Sequence, residues 1–286
     1  MRLFDYFDAK SVEGACSLLE KYKGEAKILS GGQSLIILMK MRLASPKQLI
    51  NLKTIPNLDY IQQDRGALRI GALASYNSIA NSTIVRKTFP GLSEAASVIA
   101  DVQVRNAGTI GGNVCHGDPT TDLPPILTSL GASVKAVRKG GERVIPLNGF
   151  YKGPFETVLN PDEMVSEIIV ANPPPKSGSC YQKFVMRHGD MAIASVGTAL
   201  TLAGSRCTDV KITMGGVGPI VIRATKAESL LRGEDIVDLT EVANMAAQEA
   251  KPVTDHNATE EFRRQLIVTL TKRTITESVN RAKSMG

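Results

Sequence analysis

Tryptophan is absent from this sequence, and aromatic residues make up only 5% of its 286 residues. Proteins that bind single-stranded nucleic acid stack the bases on aromatic side chains. Lysine and arginine give a formal net charge of +6, but they are dispersed and form no polybasic run. We therefore expect no nucleic-acid partner, and we assign the charge mostly to a solvated surface, part of which steers anionic nucleotides or an acidic partner chain.

Long apolar runs are also missing. No window approaches the ~18 consecutive apolar residues of a transmembrane helix, and Asp5 falls where a signal peptide would have its apolar segment. The four cysteines, Cys16, Cys115, Cys180 and Cys207, are far apart and form no CxxC pair. We expect reduced thiols in a cytoplasmic protein without a membrane span.

Signatures of metal centres and hydrolases are scarce as well. An iron–sulfur cluster needs four thiolates in clustered spacing, so we expect none in this chain alone. His116 follows Cys115, but no third ligand stands at a suitable spacing, and we expect no metal site. The absence of GxSxG, HExxH and Walker motifs argues against a self-contained hydrolase, zinc enzyme or nucleotide hydrolase.

The length and the ordinary apolar content of 43% indicate two globular domains. Three prolines in residues 172–178 forbid a helix there and mark the boundary. We predict an α+β fold with a first domain at residues 1–175, divided into subdomains 1–58 and 59–175, and a second α+β domain at residues 176–286.

Periodicity predicts the elements of both domains. Residues 12–22 form a helix capped by Ser11, and strands at residues 27–29 and 48–52 make a small βαβ-like unit without GxGxxG spacing. The remaining predicted elements are strands at 67–71, 133–137, 144–145, 164–170, 181–186, 194–203 and 210–214, and helices at 93–101, 123–130, 225–231, 239–250 and 260–278.

Two double-glycine stretches are the main functional signal. Gly31-Gly32 follows the apolar residues 28–29, and Gly111-Gly112 follows a β-branched run. Double glycines serve tight turns more often than phosphate sites. The pair is more specific, because converging backbone N–H groups together would bind a ligand with two phosphates, most simply a dinucleotide.

Asp122 and Lys183 each allow two interpretations. Asp122 precedes residues 123–125, so its side chain caps the helix that starts there or accepts hydrogen bonds from ribityl or ribose hydroxyls. Lys183 is either a solvated residue of an edge strand or a cation that stabilises negative charge on a reduced flavin ring.

Several segments together resemble the FAD-binding medium subunit of the molybdenum hydroxylases, the group that includes xanthine dehydrogenase, carbon monoxide dehydrogenase and aldehyde oxidoreductases. The matching segments are residues 31–35 (GGQSL), 40–43 (KMRL), 103–113 (QVRNAGTIGGN), 118–125 (DPTTDLPP) and 258–266 (ATEEFRRQL). The resemblance spans nearly the whole chain. It departs from the family after Gly189-Asp190, where Met191 takes the place of an aromatic residue that several relatives pack on the flavin.

The resemblance implies FAD as the cofactor and a C-terminal domain that covers part of the flavin. The backbone of the two glycine stretches would hold the diphosphate, Asp122 would meet the hydroxyls, Val165 would lie against the isoalloxazine ring, and Lys183 would approach its carbonyl edge. The implied residues of the stretches are Ser30, Gly31, Gly32, Gln33, Ser34, Leu35, Thr109, Ile110, Gly111, Gly112 and Asn113.

The resemblance also implies partners and an oxidoreductase function. Electrons from a molybdopterin large subunit would pass through an iron–sulfur small subunit to FAD in this chain and on to an external acceptor. A stand-alone FAD oxidase or reductase that acts on a small organic substrate is the alternative function. A non-catalytic nucleotide-binding module is a third hypothesis.

Overall fold

The first part of the molecule is a three-stranded parallel sheet with two helices. A computed structural model describes residues 2–284. The sheet order is β1-β3-β2, and Ser11 caps the first helix by accepting a hydrogen bond from the Gly14 amide at 3.0 Å. The elements are β1 (Asp5–Asp8), α1 (Val12–Tyr22), β2 (Ala26–Leu29), α2 (Leu35–Lys40) and β3 (Gln48–Asn51). The predicted βαβ-like unit is therefore confirmed. Strand β1 was not predicted, because its sequence begins and ends with an aspartate.

The second part is a five-stranded antiparallel sheet covered by short helices. The sheet order is β4-β5-β10-β6-β7, and β8 and β9 form a separate small hairpin. The strands are β4 (Ile61–Asp64), β5 (Ala67–Gly71), β6 (Ser133–Arg138), β7 (Gly141–Pro146), β8 (Tyr151–Gly153), β9 (Glu156–Thr157) and β10 (Met164–Ala171). The helices are α3 (Tyr76–Asn81), α4 (Thr83–Thr88), α5 (Pro90–Ser97), α6 (Val102–Ala107), α7 (Ile110–His116) and α8 (Leu123–Ser129).

The third part is a four-stranded antiparallel sheet with three helices. Its strands follow the order β11-β12-β13-β14. They are β11 (Ser177–Phe184), β12 (Ala194–Ala203), β13 (Arg206–Gly215) and β14 (Ile222–Arg223), and the helices are α9 (Thr225–Leu231), α10 (Thr240–Glu249) and α11 (Glu260–Ser284). The α+β prediction is confirmed, and the connection between β10 and β11 runs through the prolines.

Some predicted bounds are wrong. Helix α5 begins at Pro90 and ends at Ser97, rather than spanning residues 93–101, because proline suits the first helical position, where no N–H partner is needed. Strand β11 begins at Ser177, and the helix predicted to end at residue 278 continues to Ser284. The helices α3, α4, α6 and α7 are too short to give a readable period.

The second and third parts pack closely through glycines. A Cβ on Gly197 of β12 would lie 2.8 Å from the Ile126 Cα of α8, and one on Gly91 of α5 would lie 3.0 Å from the Cys180 amide nitrogen of β11. Only glycine permits such backbone approaches. The positions of β11 against α5 and of β12 against α8 are therefore fixed, and β11 carries Lys183 toward the site described next.

Candidate functional site

The two double-glycine stretches meet in the structure. The Thr109 hydroxyl donates a hydrogen bond to the Ser30 hydroxyl at 3.1 Å, which joins residues 79 positions apart in the chain. A Cβ on Gly31 would lie 2.5 Å from the Ala107 carbonyl oxygen, and a Cβ on Gly112 would lie 2.8 Å from Ser30 Oγ. The two stretches thus form one continuous surface, as the sequence predicted.

The first stretch offers a row of free backbone donors. Gly32 has a φ of +73°, which turns the chain between β2 and α2. Within residues 2–284, no protein group accepts a hydrogen bond from the amides of residues 31–35. These residues are half-buried. Successive amides of this kind form an anion-binding concavity, and a diphosphate supplies the acceptors that the protein lacks.

Other side chains of the first stretch are held locally. Gln33 Nε2 donates to the Gly31 carbonyl at 3.1 Å, which fixes the turn. Ser34 stands at the start of α2, but its side chain accepts no capping hydrogen bond. Its hydroxyl is therefore available to a ligand beside the free amides.

The second stretch forms the start of helix α7. Thr109 is the N-cap of α7 and accepts a hydrogen bond from the Gly112 amide at 3.2 Å. The amides of Ile110 and Gly111 donate to the carbonyls of Ala74 and Ala72 at 3.0 and 2.9 Å. The main chain here is mostly satisfied by protein, and the Thr109 hydroxyl is the group that contacts the first stretch, through Ser30.

Asn113 carries an incomplete hydrogen-bonding group. One end of its side-chain amide contacts the Tyr76 hydroxyl at 3.3 Å, and the other end has no partner among the described residues. Asn113 is only 8% exposed, so a missing partner costs free energy unless a ligand supplies it. A ligand hydroxyl, which both donates and accepts, would complete this group.

Asp122 lies in a buried cluster with Tyr181 and Lys183. The Tyr181 hydroxyl donates to Asp122 Oδ1 at 2.6 Å, and Lys183 Nζ donates to Asp122 Oδ2 at 3.0 Å. Burial raises the pKa of Asp122, while Lys183 and the Tyr181 hydroxyl oppose that rise. Burial also raises the pKa of Tyr181 well above its ordinary value, so its phenol stays protonated.

Two alternatives from the sequence are therefore wrong. The Asp122 side chain makes no capping hydrogen bond to α8. Lys183 lies on edge strand β11, but its side chain is only 7% exposed, because it points to Asp122 and not to solvent. The sequence did not indicate Tyr181 or Tyr76 as site residues. Tyr181 shares a strand face with Lys183 by period-two alternation, which is the signal that could have found it.

Val165 lies in β10, one residue before Ser166, which connects this strand to the second stretch through Ala72. It is 4% exposed in β10, at a register irregularity between Val165 and Glu167. Its neighbour Ser166 accepts a hydrogen bond from the Ala72 amide, and Ala72 in turn accepts one from Gly111. Strand β10 is thus tied to the start of α7.

The turn between β11 and β12 reaches the same region. Gly189 has a φ of +91° and approaches Ala100, which precedes α6. Met191 in this turn is 52% exposed. The turn therefore joins the third part of the molecule to the segment that leads into the second glycine stretch.

The four cysteines and His116 are not gathered into a metal-binding group. All four cysteines are free, and burial raises the pKa of Cys115 to about 12. His116 packs on Phe155 with ring centroids 5.2 Å apart, and burial lowers its pKa. Among residues 2–284, no three His, Cys, Asp or Glu side chains gather into a group able to hold a metal ion.

Family comparison identifies the ligand that this geometry suits. Residues 2–173 match the family model described as the FAD binding domain in molybdopterin dehydrogenase, and residues 179–278 match the CO dehydrogenase flavoprotein C-terminal domain. The chain belongs to the FAD-binding medium subunits of the molybdenum hydroxylases. The resemblance seen in the sequence is confirmed, and so are the oxidoreductase class and FAD as the cofactor.

Similar proteins align with nearly the whole chain. The chain is 36% identical over 283 residues to the 6-hydroxypseudooxynicotine dehydrogenase complex subunit alpha of Paenarthrobacter nicotinovorans, and the alignment covers 98% of this chain and 96% of the relative. It is 32% identical over 283 residues to the carbon monoxide dehydrogenase medium chain of Afipia carboxidovorans, covering 98% of both.

A solved structure has the same fold. A chain of carbon monoxide dehydrogenase from Hydrogenophaga pseudoflava, in a form that lacks the Mo-pyranopterin moiety of the molybdenum cofactor, aligns with a TM-score of 0.93 at 33% identity, covering 98% of both chains.

The free amides of residues 31–35 and the incomplete Asn113 group fit FAD, which carries both a diphosphate and hydroxyls. Across the described part of the medium subunit, every helix is too short or too polar to traverse a lipid bilayer.

Proposed function

We propose that this medium subunit takes electrons from iron–sulfur clusters in a small partner subunit and passes them from its FAD to an external acceptor. In this scheme the substrate is hydroxylated at a molybdopterin centre in a large partner subunit. A flavin suits the role because it exchanges electrons singly or in pairs. The row of free amides at residues 31–35, in a chain whose family binds FAD, is the observation that carries the proposal.

The proposed cofactor contacts follow from the site. The amides of residues 31–35, with Ser30 and Thr109 beside them, bind the diphosphate. Gly31 and Gly112 let the two stretches approach, and Gly111 lets α7 approach Ala72. Asn113 binds a hydroxyl of the cofactor, Val165 lies on the ring side, and Lys183 approaches the carbonyl edge of the flavin. A hydroxyl contact to Asp122 remains a prediction, since a carboxylate has lone pairs beyond those that Tyr181 and Lys183 use.

Relatives support the need for partners. One relative is named as the alpha subunit of a complex and another as a medium chain. This chain aligns with nearly the full length of both relatives. We propose the same kind of assembly here, with the C-terminal domain from residue 176 covering part of the flavin. The free thiols favour a cytoplasmic location.

Isolation of the native complex through a tag on this chain tests the proposal. We expect a visible flavin spectrum, iron and molybdenum in the eluate, and two co-purifying chains. Reduction of the iron–sulfur centres with a limiting amount of dithionite should then bleach the flavin, and adding NAD, oxygen, a quinone or a carrier protein in turn should identify the acceptor by return of the flavin colour.

Other outcomes distinguish the alternatives. A yellow chain that purifies alone and turns over with a simple organic donor would establish the stand-alone oxidase or reductase instead. A complex whose iron–sulfur centres are reduced while its flavin stays oxidised would contradict the electron path that we propose.

A further inference from the structure

Asp122 has both of its carboxylate oxygens engaged inside the protein. Tyr181 contacts one oxygen at 2.6 Å and Lys183 the other at 3.0 Å. The side chains of Asp122 and Lys183 are 6% and 7% exposed. An ammonium and a carboxylate so far from water stabilise one another, because either charge left alone there is strongly unfavourable.

Lys183 has a hydrogen-bond donor to spare. Its ammonium carries three N–H groups. One donates to Asp122, and a second donates to the Asp190 carbonyl at 3.1 Å, in the turn that reaches Ala100. No group among the described residues accepts from the third. A buried ammonium with an unused N–H is suited to a ligand that enters beside it.

We propose that Tyr181 and Asp122 are positioning residues that hold the Lys183 ammonium for the bound flavin, so that the charge balance of Asp122 and Lys183 sets the reduction potential of FAD. The inference rests on the proposed approach of Lys183 to the flavin edge. It gives Asp122 a role through Lys183 in addition to, or in place of, a direct hydroxyl contact.

The two charges of the cluster act in opposite directions. Reduction places negative charge on the flavin ring, and a nearby ammonium stabilises it. The Asp122 carboxylate cancels part of the field of that ammonium. Removing the lysine charge should therefore favour oxidised FAD, and removing the aspartate charge should favour reduced FAD.

The test is the midpoint potential of FAD bound to the full-length chain, titrated with dithionite against a reference dye. Lys183→Met should lower the potential and Asp122→Asn should raise it. Each variant should change the protein's relative affinity for oxidised and reduced FAD by about tenfold, which corresponds to about 30 mV for a two-electron couple. Tyr181→Phe removes the donor that stabilises the charged carboxylate, so it should shift the potential in the same direction as Asp122→Asn by a smaller amount. Lys183→Arg keeps the charge and should stay near the wild-type value.

A matched control is the buried carboxylate of Glu228, which pairs with Arg223 at 2.7 Å in the C-terminal part of the chain. Glu228→Gln should lower stability without moving the potential. If Asp122→Asn weakens FAD binding and leaves the potential unchanged, Asp122 is a direct ligand and the inference is wrong. If Lys183→Met, Asp122→Asn and Tyr181→Phe only lower the unfolding temperature, the cluster is structural and the inference is also wrong.

The measurement separates this inference from the electron path. It needs the chain and FAD but no partner subunit. Opposite shifts in the two charge variants would support the inference even if the flavin received no electrons from iron–sulfur centres in the complex. Electron transfer in the complex together with unchanged potentials would overturn it and leave the electron path intact.

Discussion

Gly112 lies where the two cofactor-binding stretches touch. Its amide donates to the Thr109 hydroxyl, and its Cα faces the Ser30 hydroxyl closely enough that a Cβ would lie 2.8 Å away. Gly32 is needed for a different reason, because its φ of +73° is unfavourable for L-amino acids. Gly112 thus permits the close approach of the two stretches, whereas Gly32 supplies a backbone conformation that favours glycine.

Gly112→Val should reduce FAD affinity by at least about tenfold, since the branched side chain would separate Ser30 from Thr109 and displace both hydroxyls from the diphosphate. Flavin absorbance per mole of purified chain, followed by titration with added FAD, measures the effect.

Gly141→Val in β7 is the control. A Cβ on Gly141 would have no neighbour nearer than Arg138 Nε at 3.9 Å, and its φ is not positive. Flavin occupancy should stay at the wild-type level in this variant. Full occupancy in Gly112→Val would contradict the proposed diphosphate site.

At the scale of single elements, an ion pair joins β7 to the residue just before β10, in addition to the strand pairing of β6 with β10. Arg143 Nε and Nη2 each contact Glu163 at 2.7 Å, and the Asn160 amide donates to the same carboxylate at 2.7 Å. Burial by itself raises the pKa of Glu163, but these hydrogen bonds and the Arg143 charge outweigh it and hold the pKa below its ordinary value.

Glu163→Gln should lower the free energy of unfolding by about 1 kcal/mol at pH 7, because the neutral side chain would lose charge-assisted hydrogen bonds that solvent around Arg143 partly screens. A lowered folded-state pKa means that the contribution is present above the unfolded pKa of about 4.3 and is lost as the pH falls through the folded value. Urea unfolding between pH 3 and pH 7 should show wild type and variant converging toward the acid end.

Glu142→Gln provides a control within the same hairpin. Glu142 pairs with Lys135 at 2.7 Å, but its side chain is 60% exposed, and such pairs contribute little. We expect no measurable change in stability at either pH. A pH-independent loss in Glu163→Gln would show that packing, and not the ion pair, accounts for the contribution of Glu163 to stability.

At the scale of the whole molecule, one arginine joins the last helix to the FAD-binding part. Arg281 in α11 pairs with Glu94 in α5 and donates to the Ser179 carbonyl of β11 at 2.7 Å. Glu94 also accepts a hydrogen bond from the Tyr181 amide at 3.1 Å. Tyr181 of β11 therefore contacts this ion pair through its backbone amide, and it contacts Asp122 through its side chain.

Arg281→Met should lower the free energy of unfolding by about 1–2 kcal/mol, because both partners are only partly buried and the loss leaves Glu94 without its cation. FAD should dissociate faster as well, since Tyr181 and Lys183 lose one of their anchors. Thermal unfolding by circular dichroism and flavin release into excess apo-acceptor measure the two effects.

Lys47→Met is a suitable comparison, because the Lys47–Glu25 pair is exposed and distant from β11 in the chain. It should leave both quantities unchanged. A slower or unchanged rate of flavin release in Arg281→Met, together with lower stability, would contradict the link between this ion pair and the cofactor site.

Local patterns in the sequence were sufficient for the fold class and the first glycine turn. The apolar periods of α1 and α8, the alternation in β12 and the prolines after β10 depend on neighbouring residues only, so they could be read directly. Gly31-Gly32 after a short strand predicted a turn with free amides, because positive φ and a strand end are local properties. The family resemblance supplied the cofactor.

Only the tertiary structure decided how the remaining groups are used. The amides of Ile110 and Gly111 donate to the carbonyls of Ala74 and Ala72, and four helices separate these residues along the chain. The partners of Asp122 lie 59 and 61 positions later in the sequence. A hydrogen bond depends on distance in space, and sequence separation carries no information about that distance until the sheets are packed. For this reason the sequence identified Asp122 and Lys183 as individual residues, whereas the fold made them a pair.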